Sequence, residues 1–301
     1  MKQIRNLEEM VDLVKGRENR VLAVAAGHDP ASIEAAARAS REGICEVVLV
    51  ADPEKVETLC REKGVDPGLF RIEPETGEKE AAEKAVEMVH RGQAQVLMKG
   101  LLGTEKYMRA ILDKEKGLLP KGALLTHLTV MEVPALSRLL FVSDVAVIPA
   151  PDLEQKVRIL SYAAEAARKF GIERPKAAVL AATEKVSPRM PATIDAAVLA
   201  QMARRGQIQG VEVDGPLALD VAISEEAAKV KGVESPVAGR ADILVFPSIE
   251  AGNIFYKAVT KLAGGRLGAV VAGAAAPCVL TSRADDEETK FLSIVLGCLL
   301  G

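Results

Sequence analysis

Short, unbroken apolar runs separated by longer stretches of helical spacing set the pattern of this chain. Val21 to Ala26 is apolar throughout, as expected of a strand covered on both faces. Asp29-Pro30 then supplies an N-cap and a proline at the first helical position, predicting a helix to about Arg41. Glu46 to Ala51 repeats the strand pattern, and Asp52-Pro53 repeats the helix start. The alternation continues through Leu69 to Ile72, a long helix from about Glu78 to Arg91, and a strand from Ala94 to Met98. Strand and helix in alternation predict a mostly parallel sheet with helices on both faces.

The second half keeps this rhythm. After the turn cluster at Gly117 to Pro120, two strand-like runs meet at Pro134, and Pro151-Asp152 opens a helix expected from Leu153 to Phe170. An apolar strand follows, then a polar loop and a helix opened by Pro191. The segment VEVDGPLALDVAIS alternates and is expected to turn at Asp214-Gly215-Pro216, with Asp214 and Asp220 as turn formers or as cleft-lining groups. Ile243 to Phe246 reads as a strand, Glu250 to Leu262 as a helix and Leu267 to Ala272 as a strand. A loop across Pro277 leads into an amphipathic helix with an acidic first turn.

Composition narrows the function classes. At 301 residues the chain is long enough for two domains or one large α/β unit. Aromatic residues make up 3%, tryptophan is absent and the net charge is −3, which argues against a nucleic-acid partner. Cys45, Cys60, Cys278 and Cys298 are widely spaced, without a CxxC pair, and read as reduced thiols of a cytoplasmic protein. His28, His90 and His127 are scattered without metal-ligand spacing, so no metal is expected. The first sixteen residues read as a helix with acids throughout, unlike a secretory leader. No run approaches a membrane span, so no membrane partner is expected. Neither a GxGxxG after a strand nor a GxxxxGK[ST] string is present, which removes the two commonest nucleotide-binding readings.

In sheets of this kind ligands bind beyond the carboxyl ends of the strands. Gly27-His28-Asp29 and Lys99-Gly100 occupy such ends. Lys99 leads to Thr104, placed to cap a helix that carries Arg109. Asn253, Tyr256 and Lys257 are spaced i, i+3, i+4, on one helical face. At Ser282-Arg283 a hydroxyl and a guanidinium stand side by side at a strand-to-helix corner, where unpaired N–H groups can hold an oxyanion. Asp285, Asp286, Glu287 and Glu288 oppose an anion there, and capping-box spacing gives the same residues a purely structural reading. Each candidate also has an ordinary reading, as a solvated cation, a strand-end histidine or a solvent-facing helix surface.

Taken together, HDPASIEA (28–35), MKGLLGT (98–104), EKVSPRMPATIDAA (184–197), VDGPLALDVAIS (213–224), AGRADILVFPSIEAGNIFYK (238–257) and LTSRADDEETK (280–290) resemble the phosphate acetyltransferase/phosphate butyryltransferase family. The first-half strings lie closer to the butyryl branch. The resemblance implies two α/β domains flanking a cleft, in the isocitrate/isopropylmalate-dehydrogenase-like arrangement. The first domain would comprise 1–133 and 272–301, with 134–271 inserted into it. It also implies a homodimer and reversible acyl transfer between coenzyme A and orthophosphate, with coenzyme A a substrate and no further cofactor. Ser282 and Arg283 would be catalytic, and Lys99, Thr104, Arg109, Asn253, Tyr256 and Lys257 would bind substrate. The acetyl branch has an aspartate base seven residues after the serine, where this chain has Thr289. Asp286 and Glu288 are the alternatives for that base. The departure also supports a second reading, a coenzyme A or acyl-phosphate binding protein without turnover. A decarboxylating hydroxyacid dehydrogenase would need clustered metal-binding aspartates, and Asp285-Asp286 is the only adjacent pair.

Overall fold

The computed structural model describes residues 3–16, 20–282 and 285–301. The chain divides into two compact units, one from residues 7–125 and 267–301, the other from residues 1–6 and 126–266. The first is therefore built from two separated stretches of sequence.

That unit begins with α1 (Leu7–Val14), β1 (Val21–Ala25), α2 (Pro30–Arg41), β2 (Glu46–Ala51) and α3 (Pro53–Lys63). It continues with β3 (Phe70–Pro74), α4 (Glu78–His90), β4 (Val96–Lys99) and α5 (Thr104–Ile111). Both Asp-Pro helix starts work as their residues require. Asp29 Oδ1 accepts from Ser32 N at 3.0 Å and Asp52 Oδ1 from Glu54 N at 3.1 Å, each with proline in the first turn. The strands lie in the order β3-β2-β1-β4, all parallel. Connections therefore run one way from β1 to β3 and return past β1 to β4. Right-handed crossovers then place α2 and α3 on one face and α4 on the other. The reversal between β1 and β4 is a topological switch point. There Gly100 is sterically required, because a Cβ would collide with the carbonyl oxygens of Ala25 and Ala26.

The second unit contains β5 (Thr126–Glu132), β6 (Leu139–Ser143), α6 (Leu153–Lys169), β7 (Lys176–Leu180) and α7 (Pro191–Arg204). After these come β8 (Glu212–Leu217), α8 (Leu219–Ile223), α9 (Glu225–Val230), β9 (Ile243–Val245) and α10 (Ile249–Leu262). Its strands lie in the order β5-β6-β9-β7-β8, parallel except for the β5–β6 hairpin. Phe141 and Phe170 meet edge to face in its core, with centroids 5.1 Å apart. Asp214-Gly215-Pro216 does not turn, contrary to the expectation from sequence. These residues continue β8, which among the described residues pairs only with β7 and shifts register there. A strand at the end of the sheet can carry Pro216 at such a register shift, where the ladder is interrupted.

The chain then returns to the first unit with β10 (Arg266–Ala272), β11 (Cys278–Val279) and α11 (Glu287–Leu300). The two-residue β11 runs parallel to β4 and antiparallel to β10, extending the sheet to β3-β2-β1-β4-β11-β10. The last helix was expected to be amphipathic, yet every residue from Lys290 to Leu299 is buried. Its charged residues are confined to the first turn, and its apolar residues are enclosed on all sides. All four cysteines are buried and unbridged, and burial pushes the Cys278 thiol up to about 12. No helix among the described residues is long and apolar enough to cross a membrane.

Candidate functional site

In the first unit the carboxyl ends of β1, β4 and β11 lie along one edge of the sheet, because the three strands are parallel. From that edge leave the loops carrying His28-Asp29, Lys99-Gly100 and Thr281-Ser282. Sequence reasoning named most of these residues, and the order β1-β4-β11 brings them together.

Lys99 ends β4 and is only 3% exposed, so it is not the solvated cation of the ordinary reading. Its Nζ donates to the carbonyl oxygens of Gly100 and Leu102, both at 3.3 Å. The ammonium thus draws its own loop around itself. Thr104 is not the cap of α5. Gly103 occupies the N-cap position, and Thr104 is the first helical residue, exposed to solvent. Tyr107, fully buried on α5, donates to Val279 O at 3.1 Å and fixes that helix to the β11 edge. Arg109 points elsewhere. Its side chain is 74% exposed, pairs with Glu105 at 2.6 Å, and lines a groove of about 920 Å³ between α4 and α5. Lysines and carboxylates alternate along that groove, among them Lys79, Lys84, Glu83 and Glu87.

At the β11 edge Ser282 is exposed, and its N–H donates to Asp285 Oδ2 at 2.7 Å. Arg283 lies outside the described residues. The helix does not begin at Asp285. Asp286 is the N-cap of α11, its Oδ1 accepting from Thr289 N at 2.9 Å. One carboxylate oxygen of this candidate base is therefore committed to the cap. Glu288 sits half-buried in the first turn, and Thr289 is half-buried beside it.

Three polar groups at this edge were not singled out from sequence. Lys290, 3% exposed, places its Nζ 3.3 Å from Ser32 Oγ and 3.6 Å from Asp29 Oδ1. The signal was a lysine leading an otherwise apolar helix. Ser32 is itself buried, in the first turn of α2. Thr281 is 4% exposed, and its Oγ1 has no hydrogen-bond partner. Asp29 Oδ2 and His28 Nδ1 are likewise buried without partners, so all three such atoms among the described residues belong to this one edge.

Burial first, then the nearby Lys55 ammonium, holds the His28 pKa below its ordinary 6.5. The folded protein therefore takes up this proton at a lower pH than the unfolded chain. Stability from this group is fully present above the unfolded value and is lost as pH falls through it toward the folded one. Thermal melts between about pH 7.5 and 5 should show a smaller acid-side fall in Tm for His28→Gln than for the wild type. Parallel Tm curves for the two proteins would remove His28 as a source of acid sensitivity.

The second unit holds the remaining candidates on α10. Asn253 is exposed and donates from Nδ2 to Val145 O at 3.2 Å, while Tyr256 is buried at 8% exposure. Lys257 Nζ lies 4.8 Å from the centre of the Tyr256 ring. The face is thus not uniformly solvent-facing. Ahead of α10 lies a group that sequence reasoning missed, Asp144, 1% exposed at the end of β6. Its Oδ2 accepts from Thr126 Oγ1 at 2.8 Å and His127 N at 2.9 Å, and its Oδ1 accepts from Ala146 N and Val147 N, each at 2.7 Å. Gly252 packs so closely that a Cβ would collide with Asp144 O, so the loop after β6 and the start of α10 share one rigid contact.

Comparison with known proteins adds a full-length likeness. Residues 72–298 match the family described as Phosphate acetyl/butaryl transferase. The phosphate butyryltransferase of Clostridium acetobutylicum is 44% identical over 297 residues, covering 99% of this chain and 98% of that protein. The phosphate acetyltransferase of Thermotoga maritima is 45% identical over 296 residues, covering 97% and 99%. Among solved structures, a branched-chain phosphotransacylase from Enterococcus faecalis superposes with a TM-score of 0.83 at 32% identity, covering 93% of this chain and 98% of its own. The fold class expected from the sequence, the α/β architecture of isocitrate/isopropylmalate-dehydrogenase type, is the one found.

Proposed function

The chain belongs to the phosphate acetyl/butyryl transferase family, and from that premise we propose that it is a phosphate acyltransferase moving a short acyl group, butyryl favoured, between coenzyme A and orthophosphate. The observation that carries this reading is the end-to-end likeness to transferases of that kind, with Ser282-Arg283 present in the sequence.

In the direction of thioester synthesis, the coenzyme A thiol gives up its proton and its sulfur attacks the carbonyl carbon of the acyl phosphate. The C–S bond forms, the C–O bond to phosphate breaks, and orthophosphate leaves with the bonding pair. Negative charge gathers first on the carbonyl oxygen and then on the phosphate. The exposed Ser282 hydroxyl is suited to donate to that carbonyl oxygen. The Arg283 guanidinium is suited to the phosphate, which its planar fork can hold at two oxygens. Asp286 and Glu288 are the candidate bases. Asp286 Oδ1 accepts from Thr289 N, so one oxygen of that carboxylate serves the helix cap. Lys99, Thr104 and Arg109 are proposed substrate-binding residues of the first unit, and Asn253, Tyr256 and Lys257 of the second. The protein would need no cofactor beyond coenzyme A as substrate. Its four free buried thiols support a cytoplasmic setting, and the family resemblance supports a homodimer.

Phosphate-dependent release of free thiol from acetyl-, propionyl-, butyryl- and isobutyryl-coenzyme A tests the reading. Release is expected with all four and fastest with the four-carbon thioesters. Because one methylene in an apolar pocket is worth about 1–3 kcal/mol, the preference should amount to roughly 10- to 200-fold for each methylene. Fastest release from acetyl-coenzyme A would move the protein to the acetyl branch. No phosphate-dependent release from any thioester would leave a binding protein.

A further inference from the structure

Asn253 is exposed on α10, yet its amide is held from behind. Its Nδ2 donates to Val145 O at 3.2 Å. A carbonyl partner admits one orientation of the amide, with the nitrogen toward Val145 and Oδ1 away from it. Val145 is itself 1% exposed, and the carboxylate of the preceding Asp144 accepts from Thr126 Oγ1, His127 N, Ala146 N and Val147 N. The loop that carries the Val145 carbonyl is therefore fixed on both sides of it. The start of α10 is set against the same loop, because Ile249 N donates to Pro149 O at 2.8 Å and Gly252 leaves no room for a Cβ beside Asp144 O. An exposed asparagine ordinarily turns freely. Here its donor is committed to a rigid loop, and Oδ1 has no partner among the described residues. On the same helical face stand Glu250, one turn earlier, and Lys257, one turn later, whose ammonium lies 4.8 Å from the centre of the Tyr256 ring. The two charges are opposite, so the face offers an acceptor oxygen without net positive charge.

We infer that Asn253 recognises coenzyme A and not phosphate, its Oδ1 accepting a hydrogen bond from an amide N–H of the pantetheine arm. The inference rests on the reading of the chain as an acyltransferase with Asn253 at the substrate. Orthophosphate and acyl phosphate present chiefly acceptor oxygens and negative charge, and an acceptor oxygen flanked by a carboxylate holds neither. The pantetheine arm is uncharged and carries amide N–H groups, which lose water on entering a site and need an acceptor there. Because the bond to Val145 sets the Asn253 amide before the ligand arrives, little ordering cost remains to weaken that hydrogen bond.

The test compares wild type with Asn253→Ala on an acyl-coenzyme A and on the matching acyl-pantetheine, which keeps the amides and lacks the nucleotide. KM for phosphate and Tm are followed on the same samples. Asn253→Ala should lower kcat/KM about 3- to 10-fold for both thioesters, as loss of one neutral hydrogen bond requires, with KM for phosphate within about twofold. Tm should stay within about 2 °C, as for an exposed side chain. A loss with acyl-coenzyme A that is absent with acyl-pantetheine would put the donor on the nucleotide and overturn the inference. A raised KM for phosphate with the thioester constants unchanged would overturn it too, as would no change in any constant. Equal losses toward both co-substrates together with a lower Tm would reduce Asn253 to a structural role. Absence of phosphate-dependent thiol release from the wild type would instead overturn the acyltransferase reading itself.

Discussion

Ser282→Ala is expected to lower kcat by about 10²–10³-fold, or about 2.7–4 kcal/mol of transition-state stabilisation, with little change in Tm. The kinetic loss follows from removing a donor aimed at an oxygen that becomes negative only as the reaction proceeds. The small thermal effect follows from the exposure of Ser282 and from its described bonds with Asp285, which are made by the Ser282 backbone and survive the substitution. Steady-state rates of phosphate-dependent thiol release, with melts on the same samples, separate the two. A variant within threefold of wild-type kcat would remove Ser282 from the chemistry.

Asp144→Ala should give the largest stability loss in the second unit. The carboxylate accepts four hydrogen bonds in a site 1% exposed. Truncation leaves three backbone N–H groups without their acceptor, while the Thr126 hydroxyl keeps Ser143 Oγ at 3.0 Å. An unsatisfied buried donor costs about 1–3 kcal/mol, and part of that total is offset because the carboxylate no longer has to be desolvated. A net loss of about 3–5 kcal/mol is expected, read by urea unfolding as a lower midpoint at unchanged slope. Asp144→Asn should fall between, since it keeps the shape but turns one acceptor oxygen into a donor that faces two others. A loss below about 1 kcal/mol for the alanine variant would mean that water reaches those donors.

The strands and helices were largely legible because their signals are local. Asp-Pro starts, apolar runs and turn clusters fix elements within a few residues, and most observed boundaries lie within about two residues of those readings. The misses were pairings over long range. Nothing within the two residues of β11 distinguishes a strand from a loop; its identity comes from β4 and β10 beside it. Pro216 reads as a turn in isolation and is strand beside β7, the one neighbour of β8 among the described residues. The candidate site was legible as a list of residues at strand ends, but not as an environment. Lys99 reads as a surface cation until its loop folds over it, and Arg109, similar on paper, remains in solvent. Asp144 and Lys290 went unremarked because a buried charge announces itself only through partners far away in sequence, as Lys290 does with Ser32.

The separation of the first unit into two stretches has a bearing on synthesis. When the ribosome has finished residue 125, four of the six strands of that sheet exist, but β10, β11 and α11 have yet to be made. The face of α2 that α11 will cover and the edge of β4 that β11 will pair stay open while the next 141 residues, 126–266, emerge. The second unit, nearly continuous in sequence, can complete its sheet first. The nascent chain thus finishes its middle before its beginning, and the Ser282 corner is placed only after the second unit has been made.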